Sequence, residues 1–214
     1  MPASFYKLLA PKSPFIKNLA FCFCCIFLLT LLTQAGNAEL SDQEYLDREI
    51  EAAERGDAKA QTFLGARYLE GDGIPQDYAK AVQWFQKAAE QGHVDAQYGL
   101  GMSYYEGIGV PQDYAKAFQW LQKPAEQGIA GAQAIMGYLY SYGQGVPQDL
   151  FEAAKWLSKA TDQGNAGAQY LLGLSHLAGK GVIRDKQKGC DLLRDSAEQG
   201  TREAIEAYNE LCTK

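Results

Sequence analysis

The chain has 214 residues, of which 47% are hydrophobic, with 20 basic side chains against 26 acidic ones and a net charge of −6. That balance argues against nucleic acid or an anionic membrane surface as the main partner, since both call for a basic face. Two histidines in the whole chain, His93 and His176, far apart in sequence, do not supply the three or four convergent ligands a zinc site needs.

Residues 1–38 contain Lys7, Lys12 and Lys17 and no acidic residue, then run apolar from Leu19 to Leu32 and end in Gln34-Ala-Gly-Asn-Ala38. A basic stretch, an apolar core and small residues at a cut is the order of a secretory signal peptide. The apolar run is shorter than the roughly 20 residues a spanning helix needs, so cleavage after Ala38 is expected. A cut after Ala35 is the nearest competitor, and a retained N-terminal anchor is the alternative. Either way the bulk of the chain is expected in the periplasm or outside the cell. Losing three lysines leaves 17 basic residues against the same 26 acidic ones, which deepens the negative charge.

Residues 39–56 follow as an N-terminal capping helix. Asp42 to Arg55 has the pattern of a lone second helix, with Tyr45, Leu46, Ile50 and Ala53 available for packing.

From residue 57 the chain repeats itself with a period of 36, in four units at 57–92, 93–128, 129–164 and 165–200, without gaps. In each unit, Ala60, Ala96, Ala132 or Ala168 lies four residues before Leu64, Leu100, Met136 or Leu172. Four further on stand Tyr68, Tyr104, Tyr140 or His176. This i, i+4, i+8 spacing marks one stripe of a helix. Gly65, Gly101, Gly137 and Gly173 sit inside that helix, where glycine costs roughly 0.5 to 1 kcal/mol relative to alanine. A cost repeated at one column points to a place where another helix comes too close for a side chain.

Each unit then turns through Gly71-Asp-Gly73-Ile-Pro75 and its counterparts into a second helix. Asp77, Asp113, Asp149 and Asp185 stand at its N-cap, with Glu152 completing a capping box in the third unit, and Gly92, Gly128, Gly164 and Gly200 close it. The glycine-rich turn lacks the Gly-Lys-Ser/Thr ending of a phosphate loop and recurs between two helices, so it is a fixed turn. Trp84, Phe85 and their counterparts lie on the apolar face of the second helix.

The columns Ala-x-x-x-Leu-Gly-x-x-Tyr-x-x-Gly-x-Gly-Val-Pro-x-Asp-x-x-x-Ala-x-x-Trp-x-x-x-Ala-Ala-x-x-Gly resemble Sel1-like repeats, relatives of the tetratricopeptide repeat. The resemblance spans residues 57–200 and implies an all-α fold, an α/α solenoid superhelix with the first helices on the inner surface. It also implies adaptor or regulatory roles through protein contacts, with no cofactor.

The fourth unit departs most, with Ile183 for proline, Gly189 for alanine, Leu192 for tryptophan and His176 for tyrosine, as end repeats commonly do. Residues 201–214 form a C-terminal capping helix. Pro124 falls inside the second helix of unit two and is expected to kink or open its last turns. Cys190 near the start of one helix and Cys212 near the end of the next should lie side by side across the turn at Gly200, and a disulfide is expected in an oxidising compartment. Two buried thiols are the alternative.

No nucleophile elbow occurs, and Ser103, Ser141 and Ser175 lie on helices without an evident base. Cysteine-rich members of the family are linked to β-lactams, but they carry a cysteine pair in each repeat and this chain does not. What varies between units is the opposite stripe of the first helix, where Tyr98, Met102 and Glu106, then Tyr138 and Tyr142, then Tyr170 and Leu174 concentrate aromatic and flexible apolar side chains. Such residues favour interfaces, and packing against neighbouring repeats is the competing explanation. The functional expectation is an exported module holding a protein partner on this stripe, as an envelope regulator or a periplasmic immunity protein. The alternatives are a cell-wall or β-lactam hydrolase and a host-directed virulence factor.

Overall fold

A computed structural model describes residues 41–213, and the regular structure among them is entirely helical. The export signal read in residues 1–38 lies outside the described residues. The helices are α1 (Asp42–Glu54), α2 (Ala58–Glu70), α3 (Tyr78–Glu90), α4 (Val94–Glu106), α5 (Tyr114–Glu126), α6 (Ala130–Tyr142), α7 (Leu150–Asp162), α8 (Ala166–Ala178), α9 (Lys186–Glu198) and α10 (Arg202–Leu211). Thus α2/α3, α4/α5, α6/α7 and α8/α9 are the four predicted pairs, flanked by α1 and α10.

Helix ends are where the repeat is written most plainly. Asp77, Asp113 and Asp185 each accept at 3.0 Å from the backbone N–H three residues on, and Asp149 accepts from Phe151 and Glu152. The N–H of these aspartates donates to the carbonyl of Tyr68, Tyr104, Tyr140 or His176 at 2.8 to 3.0 Å. That bond explains why the capping box expected at Glu152 does not form. The Asp149 N–H it would need is already engaged by Tyr140, and the Glu152 carboxylate pairs with Lys155. A reciprocal box does form at α1, where Ser41 N–H donates to Glu44 and Glu44 N–H to Ser41 Oγ.

The connecting turns are tied down as well. Gln76, Gln112 and Gln148 donate through Nε2 to the carbonyls of Leu69, Tyr105 and Ser141 at 2.7 to 2.8 Å, and Arg184 Nε does the same to Leu177. Each turn therefore satisfies carbonyls that the end of the first helix leaves open.

Within a pair, the glycine column is the point of closest approach. A Cβ on Gly101 would sit 2.6 Å from Leu121 Cγ, and one on Gly137 2.6 Å from Leu157 Cγ. At Gly65 it would meet the Phe85 ring at 2.7 Å, and at Gly173 the Gly189 carbonyl at 3.0 Å. Leu121, Leu157 and Leu193 are fully buried as a result. Between pairs, the second turn glycine does similar work: a side chain on Gly109 or Gly181 would overlap the carbonyl of Tyr78 or Leu150, at the start of the preceding second helix.

The glutamine that follows the first alanine of each repeat adds a polar tie between units. Gln61, Gln97 and Gln133 donate to the carbonyls of Ala53, Ala89 and Ala125 at the end of the preceding helix. Gln91, Gln163 and Gln199 in turn donate to Gln61, Gln133 and Gln169 at 2.7 to 2.8 Å. First helices of successive pairs also touch, α2 with α4 and α6 with α8, more closely than second helices do, so the first helices occupy the inside of the curve.

Three expectations need correction. Tyr45 is 56% exposed, whereas Leu46 and Ala53 are buried. Tyr68, Tyr104 and Tyr140 are only half-buried, because the carbonyls beneath them hold the turn while their rings lie at its edge; Lys80 and Lys116 lie over the rings of Tyr68 and Tyr104 at 5.3 and 5.1 Å. Pro124 does not open α5, which spans the same 13 residues as its counterparts. The proline lies in the last turn, fully buried in the column of Ala88 and Ala160, and the bonds from Gln127 to Lys123 and from Ile129 to Pro124 close the helix around it.

At the C-terminal end Cys190 and Cys212 are joined in a disulfide, with Cα atoms 5.6 Å apart and a sequence separation of 22. It fastens α10 to α9, where Ala204 is the one buried residue of α10.

Two substitutions of opposite sign test this packing. Gly101→Ala should destabilise the chain by about 1–2 kcal/mol, since overpacking outweighs the gain in helix propensity. Gly167→Ala, on an exposed part of α8 with nothing closer than Asn165 Oδ1 at 3.5 Å, should stabilise it by about 0.5–1 kcal/mol; urea unfolding measures both. Paired replacement of Cys190 and Cys212 by alanine should cost about 3 kcal/mol, and hydrogen exchange should show the loss concentrated in α9 and α10, because an end element has a neighbour on one side only.

Candidate functional site

The inner face is built from the helix columns that do not take part in pair packing. On α4, Tyr98 and Met102 are half-buried and Glu106 is exposed. Tyr98 leans over the start of α6, where a side chain on Gly131 would strike its hydroxyl. On α6, Tyr138 is half-buried and Tyr142 is 55% exposed, their rings 4.7 Å apart. Tyr170 and Leu174 on α8 are half-buried. The stripe is therefore neither core nor free surface, but a row of side chains anchored on one edge and open on the other.

Two clefts run between successive first helices. One, about 350 Å³, lies between α2 and α4 and takes in Tyr98, Met102 and Glu106. The other, about 560 Å³, lies between α6 and α8 and takes in Tyr142 and Leu174. Tyr138 stands outside both, and Tyr170 lines neither.

The centre of the face is a residue the stripe does not include. Tyr105 lies edge-on to Tyr138 and to Tyr114, with ring centroids 5.8 Å away in each case. Burial, joined by the neighbouring tyrosines and Glu106, pushes its hydroxyl up to about 12. Burial raises Tyr98 as well, with Glu106 adding to it, and raises Tyr170, with Tyr142, Glu203 and Glu206 adding. Tyr105 stands one position beyond the helical stripe, in a column where the other units have Leu69, Ser141 and Leu177; the doublet Tyr104-Tyr105 was the signal that could have marked it.

The histidines and the first-helix serines have structural partners. His93 is more than a junction residue: Thr62 Oγ1 donates to the Ala58 carbonyl at 2.7 Å and so accepts from His93 Nδ1 at 3.0 Å, tying two units together. His176 is buried with Nδ1 3.1 Å from the Ile183 carbonyl. Ser103, Ser141 and Ser175 each donate to a carbonyl four residues back. Among the described residues no three His, Cys, Asp or Glu side chains are placed to share a metal ion.

A profile described as Sel1 repeat matches residues 58–93, 94–129, 130–165 and 166–201, one position later than the sequence units. The chain belongs to the Sel1 repeat family. Sel1 repeat proteins are in general non-enzymatic scaffolds for protein contacts. Among solved structures the chain is 41% identical, with a TM-score of 0.67, to a protective antigen present in uropathogenic Escherichia coli strains, displaying an SLR fold. It is 38% identical, with a TM-score of 0.66, to a Sel1 repeat protein from Oxalobacter formigenes. The aligned parts cover 74% and 80% of this chain, but only 34% and 49% of those proteins, so this chain spans about a third of the first and half of the second. No curated protein matches the chain.

The tyrosine cluster makes a pH prediction. In the unfolded chain Tyr105 ionises near the ordinary value of about 10, and in the folded chain only near 12. The native state thus holds more protons over this interval, and the stability Tyr105 contributes is whole below it and lost as pH rises through it. Urea midpoints should fall between about pH 10 and about pH 12, and Tyr105→Phe should flatten that fall.

Proposed function

We propose that this chain is an exported adaptor that holds a partner protein against its inner, first-helix face, acting as an envelope regulator or as an immunity protein of the periplasm. The observation that carries the reading is the row Tyr98, Met102, Tyr138, Tyr142, Tyr170 and Leu174, half-open on helices α4, α6 and α8, none of which contains a lysine or arginine. Large side chains fixed along one edge lose little freedom when a partner covers the other, which is what makes tyrosine and methionine effective at interfaces. Export rests on residues 1–38 and accords with the Cys190–Cys212 disulfide. The description of the uropathogenic relative as a protective antigen supports a location accessible from outside the cytoplasm, and with it the host-directed variant of the same reading.

Expressed at full length in its own cell type, the chain should be recovered from outside the cytoplasm with Glu39 at its N-terminus and with one partner in fixed stoichiometry. Met102→Ala with Tyr142→Ala should weaken that complex about tenfold or more while shifting the melting temperature by only a few degrees. Absence of a partner, together with a loss of more than about 2 kcal/mol on Tyr98→Ala or Tyr138→Ala, a loss of core size, would return the row to the fold's interior.

A further inference from the structure

The cleft between α2 and α4 differs from its equivalents in two facing residues. The column occupied by Phe63, Ile135 and Leu171 in the other units holds Gly99 here, and a Cβ on it would lie 3.1 to 3.2 Å from three atoms of the Phe85 ring. Phe85 itself stands where the other second helices carry Leu121, Leu157 and Leu193. The Phe85 ring fills the space that the missing side chain would take and floors an apolar hollow, with Ala66 and Leu69 on one wall and Met102 on the other. Its volume of about 350 Å³ is at the small end of what ligand sites occupy, roughly 300 Å³ and upward.

Among the described residues, the charged groups lining this hollow are both carboxylates. Asp95 and Glu106 are both exposed on α4 and line its two ends, and among the described residues no cation forms an ion pair with either. Cations on the facing helix are committed elsewhere: Arg67 bonds Glu49 and Asp72, each at 2.8 Å, and Lys59 lies 5.7 Å over the exposed Phe63 ring. The two carboxylates are eleven residues apart on one helix, a separation of about 16 Å at 1.5 Å per residue, which an extended chain covers in about five residues.

Resting on the reading of the first-helix face as the docking face, we propose that this hollow takes a leucine, methionine, isoleucine or phenylalanine of an extended partner segment, flanked by lysine or arginine residues that pair with Asp95 and Glu106. An apolar side chain in the hollow supplies the burial, and the flanking cations select for a basic segment and reject an acidic one.

Panning the full-length chain, as the cell produces it, against a random-sequence peptide library tests this. Enriched peptides should carry an apolar residue between basic ones and bind more weakly as salt is raised. They should lose about tenfold in affinity on Asp95→Lys with Glu106→Lys, both at exposed positions, and on Ala66→Trp, which fills the hollow. Should Ala66→Trp fail to fold, the charge reversal carries the test alone. Peptides without basic residues, or no enrichment at all, overturn the proposal. If such uncharged peptides still lose binding on Tyr142→Ala, the docking face stands and only this occupant falls; if they are indifferent to Tyr142→Ala too, the docking face falls with it.

Discussion

Everything in this solenoid hangs on how closely two helices of a pair can approach. At Gly65, Gly101 and Gly137 the facing Phe85, Leu121 and Leu157 come to where a Cβ would stand, so the side chain of one helix packs directly on the backbone of the other. The helix loses propensity by carrying glycine there, and the close approach returns it as burial of a complete leucine or phenylalanine side chain. Because the contact recurs at one column, every pair takes the same geometry, and successive pairs can stack in the same way.

Stacking also needs each pair to meet the next in a fixed register, and here polar groups do what a small apolar core could not do alone. The turn glutamines hold the loop to the first helix, the aspartate caps start the second, and Gln61 and Gln133 receive one bond from their own unit while giving one to the helix before. A buried amide that bridges three helices penalises any slip, since a displaced register would leave it unpaired in a dry interior. Rigid repetition of this kind frees the remaining columns of the first helix from packing duty.

How far this was legible follows from what kind of constraint each feature obeys. The period, the turn, the aspartate caps, the glycine approach and the Cys190–Cys212 pairing are set by local geometry repeated along the chain, and could be read from spacing. Glu152 misled because the capping box is a local rule, and the N–H it needs is taken by Tyr140, a partner from the preceding helix. Pro124 misled because its position in the last turn, with the bonds around it intact, matters more than its presence in a helix. The glutamine column repeats in all four units, although Gln97 Oε1 lacks the bond that Gln61, Gln133 and Gln169 receive; a polar residue beside an apolar stripe does not announce whether it faces water or a neighbour. The openness of the tyrosine row depended on curvature, which no single column encodes, and Tyr105 gains its place only when three helices meet.

The inner face shows what a repeat protein can vary without unfolding. Gly99 with Phe85 reshapes one cleft and leaves the pair-packing glycine, Gly101, in place two residues away; Tyr105 gathers Tyr114 and Tyr138 without displacing Leu100 or Met136, both buried. The charge pattern is varied with equal freedom: α4, α6 and α8 hold no lysine or arginine, although lysines are common on α3, α5 and α7. On the second helices Lys87 and Lys159 lie over Trp84 and Trp156 at 3.8 and 4.1 Å, shielding aromatic surface from contact. On the inner face no such cation covers the tyrosines of α6 and α8. Cation cover does not by itself divide the two faces, since Lys59 lies over Phe63 on α2 and Phe151 is exposed on α7; what sets the inner face apart is that its tyrosines stand in a row on helices without lysine or arginine, so a partner can cover them without displacing a charge.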